Sequence, residues 1–137
     1  FPNSDISVFA AAVSDYKPTK YHTNKVKKSD DIWDISFKKN IDILKEMSKK
    51  KKDSQLLIGF ALETENEKEN AIKKLQKKNL DLIILNSTRD KQSTFGFNTN
   101  KISIIEKDLT ITDFDLKEKS EVAKDIVSFV LKKIKKQ

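Results

Sequence analysis

Apolar and polar positions alternate along this chain in a pattern that changes period several times. Residues 6–13, Ile-Ser-Val-Phe-Ala-Ala-Ala-Val, are nearly continuously apolar and then switch to Ser14-Asp15-Tyr16-Lys17-Pro18. Such a run predicts a strand buried on both faces, followed by a loop that Pro18 keeps out of a helix. Residues 19–31 are polar and lysine-rich, without period, and read as a mobile loop. Trp33, Ile35 and Phe37 alternate with polar neighbours, as in a half-exposed strand. Asn40 is placed to cap a helix over about 41–52, with Ile43, Leu44 and Met47 inward. Leu56–Ala61 is a second buried strand, ending at Glu63-Thr64. A helix over about 66–79 follows, with Ala71, Ile72 and Leu75 inward, and Leu82–Leu85 is a third buried strand ending at Asn86-Ser87.

This strand–helix alternation predicts an α/β fold with a parallel sheet and helices on both faces. Residues 88–99 form a loop rich in Ser, Thr, Asn and Gly. Two alternating segments, about 101–106 and 109–116, predict a C-terminal antiparallel hairpin at the sheet edge. A last helix starts near Ser120, with Val122, Ile126, Phe129, Val130 and Ile134 as its buried stripe. Glu121 in its first turn and Lys132, Lys133, Lys135 and Lys136 at its end suit the helix dipole. No internal repeat or long linker divides the 137 residues, so one domain is expected.

Composition narrows the chemistry. With no cysteine, thiolate nucleophiles, disulfides and cysteine–zinc sites are excluded. His22 is the single histidine and has no metal-ligand cluster around it in the sequence. No apolar run is long enough for a membrane-spanning helix and no signal peptide is visible, so the expected setting is cytoplasmic, without membrane contact. The formal charge of +7, from 28 basic and 21 acidic residues, favours a polyanionic partner. Nearly all of it is lysine, with Arg89 the sole arginine, which weakens direct readout of nucleic-acid bases.

In open α/β sheets ligands bind beyond the carboxyl ends of the strands, here around Asp15, Glu63 and Asn86. Polar residues must also end any strand, so these positions alone leave the matter open. On the helix over 66–79, at about 100° per residue, Lys78 and Lys74 fall on the border of the apolar stripe. Lys73 and Lys77 point away. Two ammonium groups one turn apart would suit phosphate oxygens, and border lysines also snorkel without any ligand. Lys25-Val26-Lys27-Lys28 could close over a triphosphate or form a solvated charge run. Gly59 and Gly96 are the only glycines, so no Walker loop or dinucleotide fingerprint exists.

Several segments together resemble the ligase domain of the bifunctional phosphopantothenoylcysteine decarboxylase/phosphopantothenate–cysteine ligase family. Ala10-Ala11-Ala12-Val13-Ser14-Asp15-Tyr16-Lys17-Pro18 is similar to its strand-end signature, and Lys25-Val26-Lys27-Lys28 to its Lys-x-Lys-Lys loop. Lys39-Asn40-Ile41-Asp42-Ile43-Leu44 resembles its Asn-Pro-Asp-Ile segment, with Ile41 in place of proline. Ile58-Gly59-Phe60-Ala61-Leu62-Glu63-Thr64 and the helix carrying Lys74, Leu75, Lys78 and Asp81 follow in order, then Asn86, Phe97-Asn98 and Asn100.

The resemblance implies a Rossmann-like sheet, present here as a partial domain lacking its N-terminal part. It implies a reaction in which CTP, with Mg²⁺, activates 4′-phosphopantothenate as an acyl-cytidylate that cysteine then attacks. Carried over by position, the nucleotide contacts would be Ala11, Ala12, Asp15, Lys25, Ile41, Asp42, Ile43, Leu44, Phe60, Lys74 and Lys78, with Lys25 catalytic. No metal ligand is assigned. FMN would belong to an upstream decarboxylase domain, and a homodimer or higher oligomer is implied. The alternatives are a lysine-rich nucleic-acid-binding module and a non-catalytic nucleotide sensor.

Overall fold

The computed structural model describes residues 1–26, 32–87 and 96–135. Its centre is a five-stranded mixed sheet. The strands are β1 (Ile6–Phe9), β4 (Leu56–Glu63), β5 (Leu82–Ser87), β7 (Ile102–Glu106) and β8 (Ile111–Asp113), in the order β1-β4-β5-β7-β8. β1, β4 and β5 are parallel, with Ile6 beside Leu56 and Ile58 beside Leu82. β7 and β8 run antiparallel, forming the expected edge hairpin. Two small antiparallel ladders, β2 (Tyr16–Pro18) with β3 (Phe37–Lys39) and β6 (Thr99–Asn100) with β9 (Lys117–Glu118), lie outside the main sheet.

The helices cover both faces, as the strand–helix alternation requires. Helices α1 (Ile43–Lys50) and α2 (Glu67–Lys77) lie on one side, where Leu44, Ala71, Ile72 and Leu75 pack on Leu57, Ala61, Ile83 and Leu85. On the other side α3 (Lys119–Ile134) sets Val122, Val130, Ile126 and Phe129 on Leu56, Ile58, Leu82, Ile84, Ile102 and Ile104. Burying so many β-branched and leucine side chains is the main force holding the layers together.

Gly59 matters to this packing. A Cβ there would stand 2.8 Å from Leu80 Cδ1 and 2.9 Å from Leu44 Cδ2, so its absence lets these two side-chain ends lie against β4. At the far end of α1, Lys51 Nζ lies 2.5 Å from Asp81 Oδ1, and Asp81 Oδ2 accepts the Leu57 N–H at 2.7 Å. One aspartate thus joins α1, β4 and the start of β5.

Several expectations are corrected. The first strand is Ile6–Phe9 rather than 6–13, and it is an edge, with Ile6 37% and Val8 52% exposed. Its ladder has β4 as its partner, and α3 is centred over the inner strands, so the second face stays open. The segment after Phe9 leaves the sheet to form a wall of the site described below. Trp33 and Ile35 are exposed and belong to no strand; the ladder begins at Phe37, itself exposed. The cap of α1 is Asp42, whose side chain accepts the Lys45 N–H, not Asn40. Ile43 is exposed rather than turned to the core, and Ile134 sits at the solvent end of the α3 stripe. Most of the loop over 88–99 lies outside the described residues.

Candidate functional site

The parallel strands β1 and β4 end at the same edge of the sheet, and α1 begins there. Between them lies a cavity of about 330 Å³, within the usual range for small-molecule sites. Its walls come from three stretches of chain. The first is the loop leaving β1, through Ala10, Ala11, Val13, Ser14 and Asp15. The second is the turn into α1, Ile41, Asp42, Ile43 and Leu44. The third is β4 with the end of α2, through Phe60 and Lys78, and Val8 and Phe9 complete the lining. The lining combines apolar side chains, Val8, Phe9, Val13 and Phe60 among them, with the charged groups Asp15, Asp42 and Lys78.

The polar groups are already organised. Lys78 Nζ stands 3.1 Å from Asp42 Oδ2 and 3.3 Å from Oδ1. Burial works to raise the Asp42 pKa, but the Lys45 N–H and the Lys78 ammonium outweigh it and hold the carboxyl below its ordinary value. Asp42 is therefore an anion at neutral pH, with a helix N-terminus behind it. Lys74 Nζ forms an ion pair with Glu63 Oε1 at 2.5 Å, at the carboxyl end of β4. Among the described residues, Asn86 Oδ1 and Asn100 Oδ1 are buried without a hydrogen-bond partner.

The structure brings together most of the residues singled out from the sequence, and separates others. Ala11, Asp15, Ile41, Asp42, Ile43, Leu44, Phe60 and Lys78 share the cavity. Ala12 lies in the same loop but is not among the lining residues. Lys74 and Lys25 do not line it either; Lys74 is held by Glu63, and Lys25 is exposed on the segment after β2. Lys27 and Lys28 lie outside the described residues. Of the strand-end trio Asp15, Glu63 and Asn86, Asp15 reaches the cavity. Among the described residues no group of three or more His, Cys, Asp or Glu side chains could hold a metal ion. No helix among them is long and apolar enough to cross a membrane.

Sequence reasoning missed Val8, Phe9 and Ala10 as cavity walls because it assigned 6–13 wholly to a buried strand, and it placed Val13 and Ser14 at the strand end without singling them out as contacts. It also missed Asn40 as more than a cap. The Asn40 Nδ2 donates to the Ser14 carbonyl, and its backbone N–H to the Asp15 carbonyl. An amide residue just before a helix start carries no mark of a bond to a loop so distant in sequence.

The architecture recurs in known proteins. The family model for the DNA/pantothenate metabolism flavoprotein C-terminal domain matches residues 1–134. A protein named Cysteine/Cysteine sulfinic acid decarboxylase, from an unknown prokaryotic organism, is 46% identical over 96% of this chain and 36% of its own length. The Coenzyme A biosynthesis bifunctional protein CoaBC of Bacillus subtilis (strain 168) is 40% identical over 90% of this chain and 30% of its own length. The chain thus spans about a third of these curated relatives. The crystal structure of the C-terminal domain of a CoaBC protein superposes with a TM-score of 0.75 at 33% identity, covering 98% of this chain and 57% of that one. The DNA/pantothenate metabolism flavoprotein from Streptococcus pneumoniae, at 21% identity and TM-score 0.75 over 95% of this chain and 64% of its own, shares the fold. The chain belongs to the DNA/pantothenate metabolism flavoprotein C-terminal domain family.

Proposed function

We propose that this chain is the nucleotide-binding portion of a CTP-dependent ligase in coenzyme A biosynthesis, which joins 4′-phosphopantothenate to cysteine. The observation that carries the reading is the cavity itself. Segments far apart in sequence, each matched to the ligase family by its motif, supply Asp15, Asp42, Phe60 and Lys78 to one space. The names of the CoaBC relatives and the family match support the pathway. The decarboxylase name belongs to a relative of which the chain covers 36%, and it assigns no decarboxylation to these residues.

In the proposed reaction, a carboxylate oxygen of 4′-phosphopantothenate attacks the α-phosphorus of CTP, and pyrophosphate leaves with the bonding electron pair. The amine of cysteine then attacks the acyl carbon of the acyl-cytidylate; CMP departs and the amine proton is lost to solvent. The chain's own residues bind and orient. Phe60 and the neighbouring aliphatic side chains offer a surface for the base. Lys78 exchanges its Asp42 partner for phosphate oxygens, an electrostatic gain that grows as negative charge collects on the leaving pyrophosphate. Lys25, on the exposed segment after β2, closes over the triphosphate. Lys74 joins by turning from Glu63.

Magnesium fits as a passenger of the triphosphate. The cavity has two carboxylates, Asp15 and Asp42, and this ion usually takes one or two carboxylates together with substrate phosphates. It would supply charge neutralisation at the phosphates.

Ion pairing favours a small polyphosphate over a nucleic acid. Lys49, Lys68, Lys73, Lys117, Lys124 and Lys133 are each engaged by a neighbouring carboxylate. These six ammonium groups are locally neutralised, which lowers the positive charge they would offer a phosphate backbone. The test is pyrophosphate release from CTP by the full-length protein. It should require 4′-phosphopantothenate, and CMP should appear in step with cysteine consumption. Release of equal size without 4′-phosphopantothenate, or none with all three substrates, would refute the reading.

A further inference from the structure

Two walls of the cavity, the loop leaving β1 and the turn into α1, come from segments some 25 residues apart, and one side chain joins them. The ladder between β2 and β3 ends at the pair Tyr16 and Lys39. Past that point the Asn40 N–H still reaches the Asp15 carbonyl at 2.7 Å, as one more rung. The next tie is made by the side chain alone: Asn40 Nδ2 donates to the Ser14 carbonyl at 3.1 Å. Its Oδ1 accepts the Ile41 N–H at 3.1 Å, which fixes the carboxamide orientation. The Ser14 hydroxyl is committed elsewhere, donating to the Tyr16 carbonyl at 2.7 Å. Two residues on, Asp42 caps α1 and pairs with Lys78.

We infer that Asn40 is a positioning residue for the nucleotide site, its carboxamide holding the β1 loop against the α1 turn and so setting the width of the cavity. This rests on the nucleotide reading above. The chemistry is specific to asparagine. The side chain must donate and accept at once, at short reach, between a carbonyl and an N–H of different segments. Alanine leaves both backbone groups without this partner. Aspartate keeps the acceptor for Ile41 but sets oxygen against the Ser14 carbonyl oxygen. Glutamine carries the same groups one methylene too far. Asn40 does not line the cavity, so its effect passes through Ser14, Asp15 and Ile41, which do.

The test compares the wild-type full-length protein with Asn40→Ala, Asn40→Asp and Asn40→Gln, using CTP titration calorimetry, steady-state CTP turnover and amide hydrogen exchange. The Ala and Asp variants should bind CTP about tenfold more weakly, the loss of a hydrogen bond that organises the site. KM for CTP should rise by the same factor with kcat within about twofold, because Asn40 touches no reacting atom. Amides over residues 11–15 should exchange faster in both variants, while those of β4 and β5 keep their protection. Wild-type KM with faster loop exchange would overturn the inference, and so would unchanged loop exchange. If Asn40→Ala fails to fold, the isosteric Asn40→Asp carries the same comparison. Absence of CTP binding by the wild type would instead refute the nucleotide reading, and the loop exchange would still decide whether Asn40 holds the walls together.

Discussion

Asp42 and Lys78 meet at 3.1 Å inside the cavity, and this pair carries most of what can be tested at single residues. Lys78→Ala should weaken CTP binding at least tenfold, read by calorimetry. The melting temperature should barely move, because partly exposed pairs contribute little to folding. An equal loss of affinity and stability would mean that the lysine is structural. A second effect follows from the depressed carboxyl pKa values of Asp42 and of Asp113. At Asp113 the Ser103 hydroxyl and then Lys68 favour the charged form. A carboxyl whose folded pKa lies below its unfolded value adds stability that is fully present above the unfolded value. That stability is lost as pH falls through the folded one. Urea midpoints should therefore fall with pH below about 4, near the ordinary aspartate value, and Asp113→Asn should flatten the fall. A midpoint that stays constant down to pH 2.5 would contradict this account.

At the scale of elements, α1 is the piece whose placement matters, since it has no fully buried residue of its own. It is held at one end by Asp42 with Lys78, in the middle by Leu44 against Gly59, and at the other end by Lys51 with Asp81. The Lys51 and Asp81 side chains are 9% and 13% exposed, so removing one strands a buried charge. Asp81→Ala should cost about 3 kcal/mol in urea unfolding, since the Leu57 N–H also loses its acceptor. A loss below about 1 kcal/mol would show that solvent reaches the pair and screens it. Gly59→Ala should cost about 1–3 kcal/mol by overpacking and should push α1 outward, weakening CTP binding as well. Unchanged affinity would detach the site from this packing.

The elements themselves were largely legible because each carries a strong period. The β4 and β5 runs and the Ala71–Leu75 stripe stand as the pattern implied, within a residue or two, and the C-terminal hairpin forms with its second strand shortened to Ile111–Asp113. What the pattern could not show was where strands stop pairing. Ala10, Ala11 and Val13 line a ligand-sized space, and in the sequence they look the same as core. The cavity was legible through the resemblance rather than through periodicity. Its ion pairs were not, because helix geometry sets Lys74 and Lys78 on one border but says nothing of the carboxylates, Glu63 and Asp42, that each one meets.

The whole molecule is a parallel-stranded core extended by an antiparallel hairpin, with the cavity at one end of β1 and β4. Its placement follows the general rule for open α/β sheets. Its charge is positive overall, and several of its lysines are neutralised in local ion pairs. The central claim is that this cavity takes CTP. Calorimetric titration of the full-length protein with CTP and then ATP, both with Mg²⁺, tests it most directly. The account predicts saturable, one-site CTP binding, with ATP at least tenfold weaker and the CTP signal reduced in Lys78→Ala. Equal affinity for the two nucleotides, or CTP binding indifferent to Lys78→Ala, would contradict it.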